Sequence, residues 1–122
     1  MAYLCQHVEL ADGSRRPMSG ILPAIAKRNP ARQPLVPVEV TLAVDSWLGS
    51  AGSKVRGYRN GNWLLEPAGC LMSHAADFGC EMDLIGRHQA IGSRLHLNFA
   101  FQPSLLDGFL RACPAALAWA AK

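Results

Sequence analysis

The sequence predicts an α+β fold: one mostly antiparallel sheet of about five strands, with a C-terminal helix packed on one face. Three observations predict it. Residues 35–44 and 93–102 alternate apolar and polar side chains, the period of a strand with one buried face. Asn60-Gly61 stands between two strand-like runs, a hairpin signal. The strand patterns precede the last helical pattern rather than alternating with helices, which separates α+β from α/β.

In chain order, residues 3–10 read as the first strand, closed by the turn composition Ala11-Asp12-Gly13-Ser14. Residues 19–28 predict a short helix with Pro23 in its first turn and Ile21, Leu22 and Ile25 as its buried stripe. Asn29, Pro30 and Pro34 end it. Across residues 35–44, Val36, Val38, Val40 and Leu42 alternate with Pro37, Glu39 and Thr41. Pro37 cannot donate a ladder bond, so this strand belongs at a sheet edge. Residues 45–53 form a loop rich in Gly and Ser. Residues 54–59 and 62–66 then flank Asn60-Gly61. A type I′ turn needs positive φ at both central positions, which Asn-Gly supplies at least cost, so a β-hairpin is predicted.

Leu71, His74, Ala75 and Phe78 fall at helical spacing, predicting a short helix over residues 70–79 capped by Gly79. Residues 80–85 alternate, with Cys80, Met82 and Leu84 on the buried side and Glu81 and Asp83 toward solvent. Residues 86–92 turn the chain. Residues 93–102 give the clearest strand: Leu95, Leu97, Phe99 and Phe101 face one way, and Arg94, His96, Asn98 and Gln102 the other. Gln102 precedes Pro103, which suits the first position of a helix because its missing N–H costs nothing there. Leu105, Leu106, Phe109 and Leu110 form that helix's apolar stripe, and Pro114 breaks it before Leu117 and Trp119.

The chain of 122 residues is read as a single α+β domain over residues 1–122, half apolar and 17% charged, which excludes a disordered chain. Residues 105–121 are apolar but interrupted by Asp107, Arg111 and Pro114, so no membrane span is expected. Cys5, Cys70, Cys80 and Cys113 form no CxxC pair and no secretory signal is visible. Both point to free thiols and a cytoplasmic location.

Four constellations bear on chemistry, and two motif classes are absent. Cys70, His74, Cys80 and His88 are all metal-ligand types, but only the first pair has the spacing of a zinc knuckle, so no metal and no cofactor is expected. His74, Asp77, Glu81, Asp83 and His88 are an acid–base cluster in sequence, but a solvated strand face with turn residues explains Glu81, Asp83 and His88 as well. Nucleophile elbows and phosphate-binding glycine loops are absent. From Gly13 to Val38 the chain has no acid, and Arg15, Arg16, Arg28 and Arg32, with Lys27, form a basic arm suited to an anion. Trp47, Tyr58 and Trp63 surround the predicted loop and hairpin, and with His96 they are the candidate ligand-binding residues.

Two short resemblances accompany these readings. Arg28-x-x-x-Arg32 before Val36 to Leu42 resembles the start of a PilZ domain, a small barrel that binds cyclic di-guanylate. That family also carries a D/N-x-S-x-x-G motif, and the nearest counterpart, Asp45-Ser46-Trp47-Leu48-Gly49, has different spacing. Residues 63–69, followed by 95–101 and a helix, are similar to the sensor domain of AraC-type regulators, without a following helix-turn-helix. No family is assigned on either basis.

The expectation is a non-enzymatic binding module for a small ligand or a protein partner. One alternative is a small hydrolase-like enzyme using His74 or His96 with a carboxylate. Another is phosphate or nucleic-acid binding through residues 15–32, with nucleic acid the weaker because the net charge is only +3. Apolar surface on the last helix and at Leu117 and Trp119 predicts a homodimer.

Overall fold

The computed structural model describes residues 1–31, 33–87 and 89–113. Its architecture is mixed α+β, mostly antiparallel, with ten strands in three sheets among the described residues rather than one sheet of five. A four-stranded sheet has the order β2 (Arg15–Pro17), β1 (Cys5–Glu9), β3 (Leu22–Arg28), β6 (Trp63–Pro67). A second sheet orders β10 (Leu95–Leu97), β5 (Lys54–Arg59), β4 (Val36–Thr41). A third joins β7 (Met72–Ser73), β8 (Leu84–Arg87) and β9 (Ala90–Ser93). The helix α1 (Pro103–Ala112) follows.

The predicted helix at residues 19–28 is instead the inner strand β3, parallel to β1 and antiparallel to β6. Leu22, Pro23, Ala24, Ile25 and Ala26 are all buried. A strand covered on both faces has no polar side to reveal its period, which makes it indistinguishable from a short apolar helix in sequence. Pro23 is accommodated because the β1–β3 register shifts between Cys5 and His7. Complete burial of Leu22 contributes roughly 1.5–3 kcal/mol.

The predicted hairpin does not form. β5 pairs with β4 and β10, while β6 pairs with β3, so Asn60-Gly61 is a corner between two sheets. Gly61 is absent from the positive-φ glycines, so the I′ geometry is not used. Its lack of a side chain serves packing: a Cβ there would stand 2.2 Å from Gln33 Oε1. Tertiary bonds hold the corner, with Asn29 N donating to Asn62 O at 2.8 Å and Asn60 N to Arg94 O at 2.9 Å.

Residues 70–79 hold the short strand β7 and turns rather than a helix, with Gly79 in a turn at positive φ. Residues 81–83 are also a turn, so the alternation read as a strand begins only at Leu84. The run at 93–102 is split by a bend at Arg94: Ser93 ends β9 and pairs with Leu84, only Leu95–Leu97 pair with β5, and Phe101 is 85% exposed.

The Pro37 strand lies at an edge as expected. The last helix starts at Pro103 behind Gln102. Gln102, however, makes no side-chain cap. Its amide accepts from Arg56 N at 2.9 Å and donates to Arg56 O at 2.8 Å, continuing the β5 ladder beyond Leu97. Two apolar clusters complete the interior. One gathers Val40, Leu42, Leu48, Val55, Leu84, Leu95 and Leu105; the other joins Cys5, Val8, Ala24 and Ala26 and is flanked by Trp63. No helix among the described residues is long and apolar enough to cross a membrane.

Candidate functional site

The four aromatic and histidine candidates do not share one site. Trp47 packs edge-on against Phe109 of α1, with ring centroids 5.3 Å apart. Tyr58 lines a surface groove of about 880 Å³ with Glu39, Lys54, Arg56 and Phe101. Trp63 and His96 meet in a different cleft of about 460 Å³. Its apolar wall comes from Tyr3, Val8, Leu10, Met18, Trp63 and Leu95, and its polar end from Asn60, Ser93, Arg94 and His96.

In the larger groove the charged side chains are already paired with one another. Glu39 accepts from Lys54 Nζ and Arg56 Nε, both at 2.6 Å, and the Lys54 bond holds the Glu39 carboxyl below its usual range. The Gln102 amide is spent on the Arg56 backbone. The smaller cleft differs. Asn60 Nδ2 lies 3.1 Å from His96 Nε2, and beside them Arg94 projects from the bend between β9 and β10. Over the Trp63 ring stands the exposed Arg28 guanidinium, 5.9 Å from the centroid, a cation–π contact.

Behind the cleft lies an ion cluster that the sequence pattern concealed. Asp83, read as solvent-facing, has no exposed surface. Arg94 Nε and Nη2 donate to its Oδ1 at 3.1 and 2.8 Å. Arg59 donates to its Oδ2, through Nε at 2.8 Å and also through Nη2, which additionally reaches Cys80 Sγ at 3.1 Å. The Asp83 hydrogen bond raises the Arg59 pKa further, and burial pushes the Cys80 thiol up. Arg59 ends β5 and Arg94 is the bend between β9 and β10, and Asp83 joins them at the corner where Asn60 turns the chain. An acid placed in a turn, three residues after a buried cysteine, gave no periodic signal of this role.

The remaining acid–base candidates are dispersed. Asp77 accepts from the Thr41 backbone and hydroxyl, and Glu81 accepts from Gly79 N. His74 is buried, and its Nδ1 has no hydrogen-bond partner among the described residues. Burial lowers its pKa. No histidine–carboxylate ion pair occurs among the described residues. Cys5, Cys70, Cys80 and Cys113 are free thiols. No cluster of three metal-capable side chains occurs among the described residues.

The basic arm is also divided. Arg15 pairs with Glu9 at 3.1 Å, Lys27 with Glu9 and Glu66, Arg16 is exposed on β2, and Arg28 sits over Trp63. Arg32, His88, Leu117 and Trp119 lie outside the described residues. Comparison with protein-family models, curated proteins and solved structures finds no match, so neither short resemblance places the chain in a family.

Proposed function

We propose that the chain is a non-enzymatic binding module that holds a small ligand in the cleft between Trp63 and His96. One observation carries the reading: an apolar concavity of about 460 Å³ closes on a few convergent polar groups, Asn60, Arg94 and His96. Ligand sites have this composition, because apolar walls supply most of the affinity and few polar groups fix orientation. A thermal-shift screen of small amphipathic compounds tests it. Compounds that stabilise the chain should lose their effect in Trp63→Ala and keep it in Tyr58→Ala. Stabilisation that survives Trp63→Ala unchanged would remove the cleft from the account.

The homodimer is proposed alongside, on α1. Leu106, Phe109 and Leu110 are spaced to share one helix face and are each nearly half exposed. Light scattering at tens of micromolar tests it, and a monomer mass ends it. Phosphate or nucleic-acid binding through residues 15–32 ranks below both, since Glu9 and Glu66 already hold Arg15 and Lys27.

A further inference from the structure

We infer that the ligand class is a small amphipathic carboxylate, with its apolar body against Trp63 and its carboxylate on Arg94. The inference rests on the cleft being the ligand site. Charge is its first ground. One carboxylate, Asp83, faces two guanidiniums, and neither Arg59 nor Arg94 has another acidic partner among the described residues. One positive charge of the three-group cluster is therefore unmatched. The partners also differ in whether they reach the cleft. Arg94 lines the cleft, whereas Asp83 is fully buried and Arg59 is not part of the lining.

Donor geometry is the second ground. A guanidinium carries five N–H groups in a planar fork. Arg94 spends Nε and Nη2 on Asp83 Oδ1, and Nη1 has no protein partner among the described residues. Nη1 is also not among the atoms sealed from solvent without a partner. The fork is held in place twice, by Asp83 and by main-chain bonds from Arg94 N to Asp83 O and from Asn60 N to Arg94 O. A preorganised donor forms its bond to a ligand at little entropic cost. At the same end, Asn60 and His96 offer neutral polar groups. The unmatched charge suits an anionic group, and the wall of Trp63, Leu95 and Val8 demands an apolar remainder.

Three near-isosteric probes test this on the intact chain: phenylacetate, phenethyl alcohol and phenethylamine. Binding is followed through the Trp63 indole ¹⁵N–¹H resonance, assigned with Trp63→Phe. Phenylacetate should bind about tenfold tighter than the alcohol or better, because hydrogen bonds between charged groups are the stronger ones. The ammonium compound should not bind. Arg94→Lys, which loses the fork, should bring the acid's affinity down toward that of the alcohol and leave the alcohol unchanged. Equal affinities for acid and alcohol at Trp63 would overturn the carboxylate assignment while the cleft reading stands. No Trp63 response to any of the three would overturn the cleft reading itself. Should Arg94→Lys fail to fold, the acid–alcohol comparison on the native chain still decides.

Discussion

Asp83 Oδ1 accepts from the Arg94 guanidinium at 2.8 and 3.1 Å, joining the turn before β8 to the bend that lines the candidate cleft. The same carboxylate takes Arg59 on its other oxygen. A buried acid between two arginines is costly to desolvate, but removing the acid alone leaves two cations facing each other. Asp83→Asn should therefore lose about 3 kcal/mol in urea denaturation. A loss below about 1 kcal/mol would mean that solvent already screens the pair.

His74 is expected to set an acid limit. Burial disfavours its imidazolium, so the folded pKa lies below the ordinary 6.5. The unfolded chain then binds the proton first. The corresponding stability is complete above about pH 6.5 and is lost as pH falls through that value toward the depressed folded pKa. Urea denaturation of the native chain and of His74→Phe from pH 7.5 down to pH 5, a window on the order of the His titration range, should show the native chain declining more steeply. Parallel curves would contradict it.

Gly108 offers a test whose sign discriminates. In an ordinary helix interior, Gly→Ala stabilises by about 1 kcal/mol. Here an added Cβ would stand 2.0 Å from Trp47 O, inside contact distance of backbone. Gly108→Ala should lower Tm and weaken the near-ultraviolet dichroism of the Trp47–Phe109 pair. A raised Tm would show that α1 does not dock on the 45–53 loop.

Legibility in the sequence followed how local each cause was. Pro37 announced an edge and Pro103 a helix start because each acts through its own missing N–H. Leu22 to Ala26 hid a strand because burial on both faces erases the period. Asn60-Gly61 carried the local chemistry of a hairpin, yet Gln33, Asn29 and Arg94 turned it into a corner through contacts distant in sequence. Trp63 and His96 were recognisable as candidates by residue type. Their meeting, and the separation of Trp47 and Tyr58 from them, depended on sheet order that no local pattern encodes.

The most direct test of the cleft is to locate a bound ligand by intermolecular nuclear Overhauser effects, with phenylacetate as the probe. Its ring should contact the Trp63 indole and the Leu95 methyls, and neither Tyr58 nor the Trp47–Phe109 pair. Contacts at Tyr58 or Trp47, with Trp63 silent, would contradict it.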